Sequence, residues 1–266
     1  MSALLDLARR VAREAADFVA ANSHGVEVAA TKTSPVDVVT EVDRASERLI
    51  RERILGERPE DGFLGEEDGG VAGTSGVRWI VDPIDGTVNF LYGLPEYAIS
   101  IAAEQDGRVV AGAVVNVATR VEWSAALGQG ARRDGIGLRV RPAPPLAESL
   151  VLTGFNYDSD VRRVQAAGLA TLLPRVRDIR RFGSCALDLC HIAEGTADGY
   201  YEEGIAEWDH AAGALIAREA GAQTELTTGR AGRQMLICAP PEGFAALRSA
   251  LVDSGLLAGS SGSLGE

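Results

Sequence analysis

The chain has 266 residues, 46% of them hydrophobic, enough for one large domain or two closely packed halves around a full core. A formal net charge of −12 disfavours bare nucleic acid and anionic membranes as partners, because both are bound by neutralising their own negative charge. No apolar stretch reaches transmembrane length, no basic-then-apolar leader precedes Asp6, and the three cysteines Cys185, Cys190 and Cys238 fit reduced thiols in the cytoplasm.

Leu4, Leu7, Val11, Ala15 and Phe18 recur at helical spacing and predict a helix over 3–21 that ends before Asn22-Ser23-His24-Gly25. A polar, flexible segment, Thr31-Lys32-Thr33-Ser34-Pro35, leads through Asp37 to a second helix over 41–55 with Val42, Ala45, Leu49 and Ile50 inward. Gly62-Phe63-Leu64 reads as a short strand reaching the acidic pair Glu66-Glu67, with a Gly-rich loop over 69–76 behind it. Trp79-Ile80-Val81 reads as a buried strand that Pro83 should stop. Asp82 would then surface at the strand end, with Asp85 in a turn closed by Gly86. After Thr87 the chain reads as strands over 97–104, 108–117 and 120–127, with turns at Asp106-Gly107, Ala118-Thr119, Gly128-Gln129-Gly130 and Asp134-Gly135. Pro142-Ala143-Pro144-Pro145 marks a boundary between an N-terminal half, 1–144, and a C-terminal half, 145–258. Beyond it, strands near 149–154, 178–182, 197–203, 222–227 and 234–238 alternate with helices over 160–173, 185–194, 208–220 and 241–253, which predicts mixed α/β layers. Residues 259–266 are Gly/Ser-rich and are expected to be disordered.

Asp82-Pro83-Ile84-Asp85-Gly86-Thr87 crowds two carboxylates and a hydroxyl beside an apolar run. Two such charges about 5 Å apart repel by roughly 3 kcal/mol at an effective dielectric of about 20. A hard divalent cation such as Mg²⁺ would relieve that repulsion, and would also reverse the local sign for a phosphate substrate. A turn in which both aspartates cap backbone amides would explain the hexapeptide alone. Three further acidic elements also have ordinary readings when taken singly. Thr40-Glu41-Val42-Asp43, downstream of Asp37, matches a capping box, Glu66-Glu67 a solvated pair, and Asp209 a helix start.

Together, Gly65-Glu66-Glu67, then Trp79 through Phe90 (WIVDPIDGTVNF), then Glu207-Trp208-Asp209-His210-Ala211-Ala212-Gly213 resemble the inositol monophosphatase family of lithium-sensitive, magnesium-dependent sugar phosphatases. The resemblance covers nearly the whole chain to about residue 253. It implies an α+β fold, a layered α-β-α-β-α sandwich, with two and sometimes three Mg²⁺ ions and a homodimer. Carried over residue by residue, Glu66, Asp82 and the Ile84 carbonyl would hold a first metal, and Asp82, Asp85 and Asp209 a second. Thr87 and Glu66 would position the attacking water, with Thr87 oriented by Asp43. Gly86 and Thr87 would bind phosphate through their amides, and Gly183, Ser184 and Glu202 would touch the alcohol. Lys32 and Asp37 would lie in a mobile active-site loop, with Glu67 a supporting carboxylate. The implied activity is hydrolysis of inositol monophosphate, the substrate being a small phosphorylated polyol. Glu203 and Glu207 are expected to add negative charge near the alcohol, and Cys185 stands where relatives often carry a smaller residue.

Other phosphatase chemistries fit poorly. There is no Asp-x-Asp-x-Thr, no Cys-x₅-Arg and no Gly-x₄-Gly-Lys-Ser/Thr loop. His24, His191 and His210 lack metal-binding spacing, with His210 expected to pack on its helix. Histidinol-phosphate, adenosine bisphosphate and fructose bisphosphate remain alternative substrates. A non-catalytic role in a transcription complex is the alternative of another class.

Overall fold

The computed structural model describes residues 3–23, 28–31 and 38–258. Seven α-helices are described: α1 (Ala3–Ala21), α2 (Glu41–Glu57), α3 (Thr87–Tyr92), α4 (Ser159–Leu172), α5 (Cys185–Glu194), α6 (Glu207–Glu219) and α7 (Pro241–Asp253). A short hairpin pairs β1 (Val28–Thr31) with β2 (Val38–Thr40). The first large sheet holds β3 (Gly62–Gly65), β4 (Gly70–Val71), β5 (Val77–Asp85), β6 (Ala98–Gln105), β7 (Arg108–Asn116), β8 (Glu122–Ala126), β9 (Ala131–Arg133) and β10 (Ile136–Gly137). Its order is β10-β9-β8-β7-β6-β5-β3-β4, antiparallel except where β3 runs parallel to β5. The second sheet holds β11 (Leu150–Thr153), β12 (Asp178–Arg180), β13 (Gly199–Glu203), β14 (Gln223–Thr228) and β15 (Gln234–Ala239), in the order β12-β11-β13-β15-β14.

Side-chain alternation along the strands sorts the chain into five layers. Val81, Ile99 and Ile101 face α1 and α2, while Ile80, Ala102 and Val114 face α5 and α6. Across the second sheet, Leu152, Tyr200 and Leu236 pack on the same two helices, and Val151, Tyr201 and Ile237 on α4 and α7. α5 and α6 are buried on both sides, which is why Leu187 and Leu189, or Ala212 and Ala214, point to different cores. This is the layered α-β-α-β-α sandwich that the resemblance implied. Cys185, Cys190 and Cys238 are free and buried. No described helix is long and apolar enough to cross a membrane.

Three expectations need correction. Pro83 does not end its strand, because β5 runs on to Asp85. The pairing slips between Asp82, opposite Ser100, and Asp85, opposite Ala98, and this bulge absorbs the residue with no N–H to give. On the other side β3 has already stopped at Gly65, opposite Val81. The helix Thr87–Tyr92 was not expected, and neither were β1, β2, β4, β9 and β10. The buried stripe of α2 is Asp43, Ser46, Glu47, Ile50 and Ile54, rotated from the one predicted. Its polar members lie toward the helix N-terminus and its apolar ones in the core.

Candidate active site

The end of β5 brings the predicted carboxylates together. Asp82 and Asp85 are buried, and each is tied to a local donor. The Ile84 amide donates to Asp82 Oδ1 at 3.0 Å. Ser184 Oγ and the Ala186 amide donate to Asp85 Oδ2 at 2.6 and 2.7 Å, so Asp85 sits on the positive end of α5. Asp209 accepts the Ala206 amide at 2.7 Å at the start of α6. Glu66, in the turn after β3, lies close enough to Asp82 for its charge to raise the Asp82 pKa.

The electrostatics of this cluster are one-sided. Burial first, then the charges of Glu66, Asp85 and Asp209, hold the Asp82 carboxyl well above the usual carboxylate range. Burial likewise pushes Asp209 well up, with Glu66 and Asp85 adding to it. Asp85 is pushed up to about 7 by burial, partly offset by its bonds from Ser184 and Ala186. As the side chains stand, no group of three or more His, Cys, Asp or Glu among the described residues is arranged as a metal cage. The donor chemistry nevertheless fits a hard divalent cation: the set is oxygen-only and largely buried, and the neighbouring charges among the described residues that shift Asp82, Asp85 and Asp209 are negative. The rotamers are turned to the local amides instead.

These raised values carry a sign for stability. A carboxyl whose folded pKa lies above its unfolded one contributes full stability at low pH and loses it as pH rises through the folded value. In chelator, Tm is therefore expected to fall by several degrees from about pH 5 to about pH 8, at about 2–4 °C per kcal/mol. Saturating Mg²⁺ should flatten that slope. A chelated protein whose Tm is level across this window would contradict the charge balance described here.

Beside the carboxylates, Thr87 Oγ1 donates either to Asp43 Oδ1, at 3.1 Å, or to the Ile84 carbonyl, at 3.2 Å. Asp43 is fully buried and also accepts the Thr40 amide, at 2.8 Å, and the Thr40 hydroxyl. The capping box is therefore real, and its second oxygen serves Thr87. Ser184 is turned to Asp85 and caps α5, accepting the Leu187 amide at 3.3 Å. On the second sheet, Glu202 Oε2 accepts the Tyr200 hydroxyl at 2.9 Å, and burial raises its pKa. Cys185 is buried in the same core cluster as Tyr200.

Glu203 and Glu207 do not charge an alcohol pocket as expected. Strand alternation sends Glu203 to the opposite face from Glu202, where it accepts the Arg233 amide at 3.1 Å. Glu207 pairs with Arg78, which also holds Glu104 at 3.0 Å. His210 packs on its helix, pushed down to about 4 by burial. Lys32, Asp37 and His24 lie outside the described residues.

Two supporting residues were not singled out from the sequence. Glu47 is fully buried and accepts the Glu67 and Asp68 amides at 2.8 and 2.9 Å, holding the turn that carries Glu66. Its signal was an acid one helical turn after Asp43 on the same stripe. Asn89 donates to the carbonyls of Glu96 and Phe182 at 2.6 and 2.7 Å, joining the segments on either side of Gly86.

The description "Inositol monophosphatase family" matches residues 1–258. The "Inositol-1-monophosphatase SuhB" of Mycobacterium tuberculosis is 48% identical over 253 residues, covering 88% of this chain and 87% of that protein. The "Nus factor SuhB" of Pasteurella multocida is 39% identical over 224 residues, covering 83% and 84%. Among solved structures, Mycobacterium tuberculosis SuhB superposes with a TM-score of 0.83 at 44% identity, covering 96% of this chain and 97% of that one. The suppressor protein suhB of Bartonella henselae gives 0.85 at 33% identity, covering 94% and 98%.

Proposed function

This chain belongs to the inositol monophosphatase family, and on that premise we propose that it is a Mg²⁺-dependent phosphomonoesterase acting on inositol monophosphate. The observation that carries the reading is the β5-end cluster: the buried Asp82 and Asp85 with the half-buried Asp209, whose neighbouring charges among the described residues are themselves negative, next to a Thr87 hydroxyl held by Asp43. Glu66, Asp82 and the Ile84 carbonyl would hold one Mg²⁺, and Asp82, Asp85 and Asp209 another. Bound there, the cation supplies positive charge to the phosphate oxygens and eases loss of a proton from water.

The chain's own residues do the positioning. Donation to Asp43 spends the Thr87 proton, so the Thr87 oxygen is left to accept from the incoming water. Glu66 takes up that water's proton as the new O–P bond forms. The bond from phosphorus to the alcohol oxygen breaks, and the alcohol leaves with a proton from solvent. The amides of Gly86 and Thr87 meet the phosphate oxygens as charge spreads over them. Glu202, steadied by the Tyr200 hydroxyl, accepts hydrogen bonds from ring hydroxyls. Relatives named Nus factor support a second reading, a partner role in a transcription complex alongside catalysis.

A turnover panel of inositol monophosphate, histidinol phosphate, fructose bisphosphate and adenosine bisphosphate tests the reading. The expected result is Mg²⁺-dependent turnover with inositol monophosphate preferred, and one ¹⁸O from labelled water in the phosphate. A phosphorylated aspartate trapped by acid quench would overturn it. A preference of about tenfold or more for histidinol phosphate, roughly 1.4 kcal/mol, would overturn the substrate alone.

Glu202→Gln probes the alcohol side. Loss of charge-assisted bonding at a buried contact costs about 1–3 kcal/mol, so kcat/KM for inositol monophosphate should fall roughly five- to a hundredfold. Turnover of the flexible glycerol 2-phosphate should hardly change. Equal losses on both substrates would remove Glu202 from ring recognition.

A further inference from the structure

We infer that Glu47 is a positioning residue for Glu66, so that α2 sets both groups that aim the attacking water. The inference rests on the proposed hydrolytic role of Glu66 and Thr87. Asp43 and Glu47 are one helical turn apart on the buried stripe of α2, and neither side chain meets solvent. Asp43 reaches Thr87. Glu47 takes two consecutive amides, those of Glu67 and Asp68, at 2.8 and 2.9 Å. One rigid element therefore fixes the two groups relative to each other, although one comes from the turn after β3 and the other from the start of α3.

The turn is built around that carboxylate. A Cβ at position 65 would lie 2.3 Å from the Glu47 carboxyl carbon, so only glycine lets Glu47 reach the amides. Arg51, one turn further along α2, meets Glu47 Oε1 at 3.3 Å and the Gly69 carbonyl at 3.1 Å. The Gly65 amide closes the turn by donating to Gly69 O at 3.2 Å. α2 thus holds residues 67–69 directly, and the Gly65–Gly69 bond carries that hold back across Glu66. Nothing about this arrangement needs Glu47 to touch substrate or metal.

Glu47→Gln is nearly isosteric but has one acceptor oxygen, and its NH₂ would oppose one of the two amides. Three readouts test the inference on the full chain: the Mg²⁺ midpoint for turnover, the rise in Tm from chelator to saturating Mg²⁺, and hydrogen exchange at the Glu67 and Asp68 amides. In the variant the midpoint should rise about tenfold or more, the Mg²⁺-induced gain in Tm should shrink, and both amides should exchange faster. A folded variant with the wild-type midpoint and the wild-type Mg²⁺-induced gain would overturn the inference, even if its Tm were lower in chelator, since that pattern marks plain structural support. Should Glu47→Gln not fold, Glu47→Asp, which keeps the charge one methylene short, is read by the same three measurements. A wild-type protein with no Mg²⁺ response in turnover or Tm would instead overturn the proposed function, and the Glu47 role with it.

Discussion

Asp82→Asn is expected to lower kcat/KM by about a thousandfold or more, roughly 4 kcal/mol, in a protein that still folds. The size follows from position. Asp82 is the carboxylate that every other acid of the cluster acts on, with Glu66, Asp85 and Asp209 all raising its pKa. In the proposed reading it is a ligand of both cations, so an amide there weakens both sites at once. Folding should survive because Asn keeps an acceptor oxygen for the Ile84 amide, which Asp82 now binds at 3.0 Å. Removing a charge also relieves repulsion in the metal-free protein, so Tm in chelator at about pH 8 should match or exceed wild type. Steady-state kinetics with thermal unfolding in chelator and in Mg²⁺ separate these effects. Wild-type turnover from folded Asp82→Asn would remove the shared-ligand assignment. A lower Tm in chelator would remove the repulsion argument.

Legibility in the sequence followed from what each residue's neighbours could reveal. Helices such as 185–194 and 241–253 were readable to the residue because caps and apolar spacing agreed, as at Ser184 and Gly195 around α5. Thr87–Tyr92 was not, since six residues give under two turns and too few apolar positions to show a helical period. Its bounds are set by left-handed glycines at both ends, Gly86 and Gly93. The stripe of α2 was misplaced because apolar residues alone were counted as inward. The true stripe begins with Asp43, Ser46 and Glu47, polar groups buried because Thr40 and Thr87, the Pro83 carbonyl of β5 and the Glu67-Asp68 turn supply their partners. Asp82, Asp85 and Asp209 could be found from motif order. The direction of Glu203 was open to reading from its parity with Glu202, whereas that of Glu207 was not, because Arg78, 129 residues away, decides it. What escaped was long-range pairing, which no local pattern encodes.

Gly86→Ala tests such long-range packing at the site itself. Gly86 has φ +94°, and a Cβ there would stand 2.8 Å from the Glu96 carbonyl, 3.2 Å from the Gly183 carbonyl and 3.3 Å from the Tyr97 Cα. All three are backbone atoms. The Asn89 amide pins the segments that supply them by donating to the Glu96 and Phe182 carbonyls, so neither can retreat cheaply. The left-handed backbone costs a non-glycine residue about 1–2 kcal/mol, and overpacking adds about 1–3 kcal/mol. Relief must come from movement of Gly86-Thr87, which shifts the Thr87 hydroxyl off Asp43 and displaces the phosphate-facing amides. A misplacement of about 1 Å costs on the order of a hundredfold in rate, so kcat/KM should fall by at least that much, with a clear drop in Tm. Gly107→Ala is the control. Gly107 has φ +75° in the β6–β7 turn, with nothing within 4 Å of an added Cβ. It should lose about 1 kcal/mol of stability and no activity. If Gly86→Ala behaves like Gly107→Ala, the crowding at Gly86 does not hold Thr87 in place, and the anchoring of the nucleophile's site must lie with Asp43 alone.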